Sequence, residues 1–528
     1  MRGIYIFYQT FMVKRRIMKR KFLNQIIAVG ATAAMVAGMA GCANGNTADP
    51  ATPDTPASVD PGQADPGQAD PATADAPYEK LTHADGSDID LGGVEISIVN
   101  WWSGDPADPV NDYEEALWDY REWCEETYNF TVKETTEYAG GSLTWGDCIQ
   151  QFSDYVTSGG DDNYYVFTGR MCAAATTAVA SGLMYDLSTI ECLDFDSNPV
   201  FTRNQVDEFF KSGDSIYTMY ATSNGFSEPR EGIYFNKRVL EDAGIDPESI
   251  YDMQANGTWT WDAWTDIMEK VQRDLDNDGT PDVFGYTCNY DDAVEEFVLS
   301  NGASLVKNEA SGLRVAFEDA DTQEALNFFQ ECCANYDAHL YYPADAAWDF
   351  YKTDWLTGNT AFYIGQVWEK DNVRGIGDDG RSLEDEVGFV SFPVGPSAGS
   401  NFTSYAGDNL YYIPGCYDAD KAFACAFAYM CFYADTPGYE DFIENLDGIK
   451  AGYYSAFDDT RAVDETIVRI IKTSGYEPAE SVAQVDIGPQ FRHLVGVNVA
   501  EGTINDMSAA IEQASTQWNT FVEEANAK

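Results

Sequence analysis

From Val94 onward the chain alternates strand-like and helix-like periodicity, and this constrains its fold more than any other feature. "VEISIVNWW" (94–102) alternates apolar and polar residues as a strand does, and "YEEALWDYREWCEETY" (113–128) has helical spacing. "NFTVKETT" returns to strand character, and a helix near Cys148 to Val156, a strand "NYYVFTG" and a helix "CAAATTAVASG" follow. Strand, helix, strand, helix is the pattern of a doubly wound α/β sheet with right-handed crossovers. Ligands of such sheets lie beyond the carboxyl ends of the strands, where Trp101, Trp102 and Arg170 fall.

The segment from Tyr78 to Lys528 is longer than one hydrophobic core usually serves, so two lobes are expected, with no second linker between them. What precedes it has a different character. Six basic residues between Lys14 and Lys21 lead into an apolar run from Ile26 to Ala40, the layout of a secretory signal, with Met12 and Met18 as later starts. The run is too short to span a membrane and ends in small residues before Cys42, which resembles the lipidation site of bacterial lipoproteins. Residues 43–77, with a DPGQA repeat and almost no side chain larger than Val, have too little apolar area to offset the entropy of ordering and read as a solvated spacer. The expectation is a globular part at the outer face of a cell membrane, held by lipid on Cys42.

Seven of the 31 basic residues lie before Cys42, leaving 24 against 88 acidic ones, a balance that argues against nucleic acid or an anionic membrane surface as partner. Ten cysteines besides Cys42 lie scattered without CxxC or Cys/His spacing, so zinc is not expected and buried free thiols are. His83, His339 and His493 occupy unrelated contexts, and no Ser-His-Asp or Cys-His arrangement is visible.

"EGIYFNKRVLEDAGID" (231–246), "TWTWDAWTDIMEKVQRDLDNDGTPDVFGY" (258–286), "WLTGNTAFYIGQVW" (355–368), "VGFVSFPVGP" (387–396) and "YAGDNLYYIP" before a helix from about Asp418 follow in order. Together they resemble family 1 extracellular solute-binding proteins, the receptors of ABC sugar importers. The resemblance implies a periplasmic-binding-protein-like fold: two doubly wound α/β lobes, a ligand cleft and a hinge between them. It places residues 86–220 in lobe 1 and 221–361 in lobe 2, after a signal (1–41) and a tether (42–85). Lobe 1 then resumes over 362–412 and lobe 2 over 413–528, the last part mostly helical. Binding without catalysis is implied, with carbohydrate and permease subunits as partners, a monomeric state and no organic cofactor.

Sugar sites pair aromatic platforms with planar polar groups. By the resemblance, Trp101, Trp102 and Trp368 are cleft platforms and Arg170, Tyr220 and Asp408 their polar neighbours, with Trp348 and Trp355 weaker candidates. A separate signal is "DLDNDGTPD": Asp274, Asp276, Asp278, the Thr280 carbonyl and Asp282 match the start of an EF-hand-like calcium loop, with Gly at 285 where the last Glu would stand. A structural calcium is expected there. The same fold binding a peptide or other solute remains open, as does a tethered glycoside-active enzyme, since 88 acidic residues hide any catalytic pair.

Overall fold

The structure is a computed structural model describing residues 78–526, except 105–107, 110, 170–180, 204–210, 213, 222–230, 339–348, 372, 376–381, 400–403, 406–408, 455–456, 458, 476–478 and 480–506. Eight strands carry its two main sheets: β1 (Val94–Val99), β2 (Phe130–Thr135), β3 (Tyr164–Gly169), β4 (Glu231–Asn236), β5 (Phe284–Cys288), β6 (Thr360–Gln366), β7 (Val387–Val390) and β8 (Leu410–Tyr412). Six helices matter below: α1 (Asp112–Tyr128), α2 (Cys148–Thr157), α3 (Trp261–Val271), α4 (Ala419–Tyr433), α5 (Glu440–Glu444) and α6 (Asp447–Tyr454).

The first sheet has the order β8-β3-β1-β2, parallel except for β8. Its crossovers are the helices the periodicity predicts. Asn111 caps α1 by accepting the Glu114 N–H at 2.9 Å, and Asn129 ends it in a left-handed turn with φ of 56°. One face of the sheet, with Ile96 and Ile98 wholly buried, packs against α4, which is apolar nearly all round.

The second sheet has the order β7-β4-β6-β5, with β4 antiparallel to both its neighbours and β5 parallel to β6. Both faces are covered, so its strands are almost continuously buried. α3, capped by Thr260, sends Trp264 into this core against Tyr286, Phe297 and Phe392.

Each sheet has its own core, and, apart from Leu299, which packs on the first core from within the second lobe's stretch of chain, the chain changes core three times: between Ala221 and Ile233, between Phe392 and Leu410, and between Tyr433 and Leu446. This corrects the expected second half of the chain. Residues 362–390 do not return to the first lobe, because Phe362 pairs with Phe235, and Gly388 also pairs with Phe235 from the other side, inside the second sheet. Only β8 rejoins the first sheet. Residues 413–433 then stay in the first core, where α4 covers β1, β2 and β3, and the second lobe resumes at Leu446. Uniformly apolar strands suit either sheet, and pairing between distant strands leaves no local trace.

Seven of the nine described cysteines are buried, and the other two are half-buried. No described helix is long and apolar enough to cross a membrane.

Candidate ligand site

Eleven of the twelve tryptophans are described, and only Trp102, Trp145 and Trp368 are exposed, by 48%, 58% and 53%. All three stand in connections that leave a main-sheet strand at its carboxyl end: Trp102 just after β1, Trp145 beyond the hairpin that follows β2, and Trp368 in a 3-10 turn (Val367–Asp371) after β6. Exposing an indole forgoes a large burial gain, so each of the three is a candidate contact residue.

Each loop is held by polar groups that leave its indole exposed. Asn100 is fully buried at the end of β1, and its carbonyl oxygen accepts the N–H of Trp102 at 3.1 Å and of Ser103 at 2.8 Å. Its amide nitrogen donates to Ser103 Oγ at 2.7 Å. Half-buried Trp101 packs on the first core and meets Trp102 edge-on, ring centroids 5.0 Å apart. After β2 a short hairpin (137–142) intervenes, and Thr144 then donates its N–H to Gln151 Oε1 at 2.9 Å, fixing the turn that carries Trp145 into α2.

After β6 the anchor is a carboxylate. Glu369, 5% exposed, accepts the Tyr363 hydroxyl at 2.6 Å and the Gln366 N–H at 3.0 Å through Oε2. Tyr234 donates its hydroxyl to the Gln366 carbonyl at 2.9 Å, and the Trp368 indole N–H donates to Gln366 Oε1. Gly365 is required here, because an added Cβ would lie 2.7 Å from the Tyr363 ring and 2.8 Å from Glu369 Oε2. Burial first, and the Glu369 carboxylate second, push the Tyr363 phenol well above its ordinary value.

Of the sequence candidates, Trp102 and Trp368 are thus presented to solvent and Trp101 supports its neighbour. Tyr220 is 6% exposed and packs in the first core. Trp355 is 1% exposed, its indole N–H donating to the Val373 carbonyl at 2.8 Å, so it is a core residue. Arg170, Trp348, Asp408 and Cys42 lie outside the described residues. Trp145 is a residue the sequence reading missed. Its signal was available: in "SLTWGD" a lone tryptophan sits among turn-forming residues with no apolar period around it.

A cavity of about 240 Å³ lies elsewhere, between the faces of β1, β2 and β3 and the hairpin, lined by Glu95, Lys133, Tyr138 and Tyr165 among others. None of the exposed tryptophans lines it. Glu95 and Lys133 pair with each other at 2.7 Å and Glu137, also in its lining, accepts the Ser142 hydroxyl, so the tryptophan loops are the stronger candidate.

In the acidic loop, Asp274, Asp276 and Asp282 bring one carboxylate oxygen each within 4.8 Å of one another. Asp274 accepts N–H groups from Asn277 at 2.7 Å and Gly279 at 2.8 Å, and these bonds, the Gly279 one foremost, hold its carboxyl below the usual range. Asn277 (φ 64°) and Gly279 (φ 95°) supply the left-handed turns. The set does not include Asp278, whose Oδ1 accepts the Thr280 N–H at 2.8 Å. Three converging hard oxygens suit calcium rather than a soft metal.

The model of the bacterial extracellular solute-binding protein family matches residues 201–433. No curated protein matches the chain. Among solved structures, the cyclic alpha-maltosyl-1,6-maltose binding protein of Arthrobacter globiformis is similar at 14% identity and a TM-score of 0.55, covering 82% of this chain and 100% of its own. An ABC substrate-binding protein of Listeria monocytogenes in complex with cycloalternan aligns at 12% identity and a TM-score of 0.52, over 81% of this chain and 98% of its own. The maltose/maltodextrin-binding domain of Bdellovibrio bacteriovorus bound to maltotriose gives 13% and 0.51, over 82% and 100%. Each of the three is a binding protein or binding domain. The family resemblance carried by the sequence motifs is thereby borne out over residues 201–433, on a fold of the periplasmic-binding-protein type shared with solute-binding proteins of ABC transporters.

Proposed function

We propose that this protein captures an oligosaccharide between its two lobes and delivers it to the permease of an ABC importer. The observation that carries the reading is that the exposed tryptophans stand on carboxyl-end loops of both sheets, two from the first and one from the second. Flat apolar sugar faces meet indoles at low entropic cost. A ligand that touches both lobes shifts their equilibrium toward closure, the form a permease would recognise. The carbohydrate complexes among the similar structures support this ligand class.

The chain acts as a monomer outside the cytoplasm, anchored through lipid on Cys42, with the solvated segment from 43 onward as its leash. Asp274, Asp276 and Asp282 hold a calcium that staples the loop between α3 and β5 and takes no part in binding. Binding is stoichiometric, without turnover.

A thermal-shift and calorimetry panel of maltotriose, cyclic maltosyl-maltose, cycloalternan and chitin oligosaccharides tests the reading. At least one raises the melting temperature by mass action and binds one to one without being consumed. Failure of every saccharide, beside a shift with peptides, or release of cleaved sugar, would overturn it.

A further inference from the structure

We infer that Leu446 is the pivot of the third crossing between the lobes, its backbone strained in the arrangement described and relieved when the lobes move. The inference rests on the two-lobed capture reading above and deepens it. The third crossing is described from end to end, and two sets of contacts divide it sharply.

Up to Asn445 it is fastened to the first lobe. Arg203, which follows a short helix (Pro199–Thr202) rooted in the first core by Val200 and Phe201, has a side chain only 7% exposed. Its guanidinium grips Asp435 in a fork of two 2.7 Å bonds and reaches Glu444 of α5 at 2.9 and 3.1 Å. The rings of Tyr439 and Phe442 pack on Tyr113 of α1, with centroids 5.4 and 4.8 Å away, and the Tyr439 hydroxyl donates to the Asp112 carbonyl. From Leu446 the chain belongs to the second lobe: Leu446, Ile449 and Tyr453 are all buried in the second core.

The change of body therefore falls between Asn445 and Leu446, and there the backbone is unusual. Leu446 has φ of 61°, and among the described residues the other two non-glycine residues with positive φ are asparagines, which tolerate that region. Its N–H donates to the Ile443 carbonyl at 2.9 Å, ending α5, and its carbonyl accepts the Lys450 N–H at 2.9 Å, starting α6. Helices commonly end in such a turn, but with glycine. A leucine is held there because its side chain, 3% exposed, is anchored in the second core. The strain sits at the one residue whose backbone joins a segment clamped to one lobe with a side chain clamped to the other, where a change of φ turns one lobe against the other.

Native-state amide exchange on the full chain tests the division without any ligand. Arg203→Met raises exchange in residues 441–445 roughly tenfold while α6 keeps its protection. Loss of protection in α5 and α6 together would overturn the assignment. The strain is tested by Leu446→Gly, which removes the cost of positive φ at this one position and so shifts the balance between the arrangement described and the other one. Its Kd for maltotriose changes about fivefold or more, whereas Ile449→Ala, which removes comparable bulk from the same core, lowers the melting temperature and leaves Kd unchanged. An unaltered Kd in Leu446→Gly, or an equal change in Ile449→Ala, would overturn the pivot. If wild type binds neither maltotriose nor any saccharide of the panel, the capture reading fails, and the exchange experiment still decides whether α5 travels with the first lobe.

Discussion

The loops after β1 and β6 each present a tryptophan, but they are built on opposite principles. In the first lobe a neutral carboxamide, Asn100, ties two consecutive N–H groups to itself. In the second a buried carboxylate, Glu369, gathers a phenol and an N–H. A carboxamide both accepts and donates, so it closes a small turn alone. A carboxylate only accepts and must be surrounded by donors, so it recruits Tyr363 from within β6 and demands glycine at position 365. The side-chain anchor of the second loop thereby draws on its core strand, whereas the Asn100 side chain bonds only within its own turn.

Breaking the second anchor should have the largest effect. Glu369→Ala leaves the Tyr363 hydroxyl and the Gln366 N–H without their acceptor and opens a void, a cost of about 3 kcal/mol. Glu369→Gln, which can still accept from the phenol, should cost less. Denaturant midpoints measure both, and an Ala variant as stable as wild type would dissolve the contrast. Asn100→Ala should cost about 2 kcal/mol, since two N–H groups lose an acceptor in a turn that water partly reaches. Its effect should stay local, visible as faster amide exchange at residues 102–103.

Removing the indoles sharpens the comparison at the level of binding. Trp368→Ala and Trp102→Ala should each weaken the best saccharide by about 1.5 kcal/mol, roughly tenfold, with Trp145→Ala following them. None should shift the melting temperature much, because each ring is about half exposed already. Unchanged calorimetric affinity in all three would leave the fold intact and move the site elsewhere.

Much of this was legible in the sequence because it is local. The strand-helix alternation gave β1, α1, β2, α2 and β3 nearly to the residue, and Asn111 and Thr260 mark helix starts by their own chemistry. The motif "TAFYIGQVW" singled out Trp368, whose indole the structure leaves exposed after β6. What stayed hidden depends on partners far away in sequence. β6 and β7 read as good strands for either sheet, and only their pairing with Phe235 assigns them to the second. Trp355 and Trp368 lie in one stretch and look alike, yet one indole is taken by the Val373 carbonyl and the other reaches no further than Gln366. Tyr220 is polar enough for a cleft, but the first core claims it.

The smallest effect concerns pH and follows from the second loop alone. Tyr363→Phe removes one hydrogen bond to a carboxylate that keeps the Gln366 N–H, so the loss at neutral pH should be about 1 kcal/mol. The Tyr363 phenol is held above its ordinary value of 10.0 by burial and by Glu369, and that value is what it regains on unfolding. A group whose folded pKa is raised contributes stability that is whole below the unfolded value and is lost as pH rises past it. The window is thus above pH 10, where stability falls by up to about 1.4 kcal/mol per pH unit for each such phenol. Tyr363→Phe should make the fall in melting temperature above pH 10 shallower by one phenol's share, while other buried tyrosines keep the rest of the slope. Asn100 does not titrate, so Asn100→Ala should lower the whole curve without changing that slope. An identical alkaline slope in wild type and Tyr363→Phe would mean that the phenol escapes to solvent before it ionises, and that the second loop is no more tightly coupled to its core than the first.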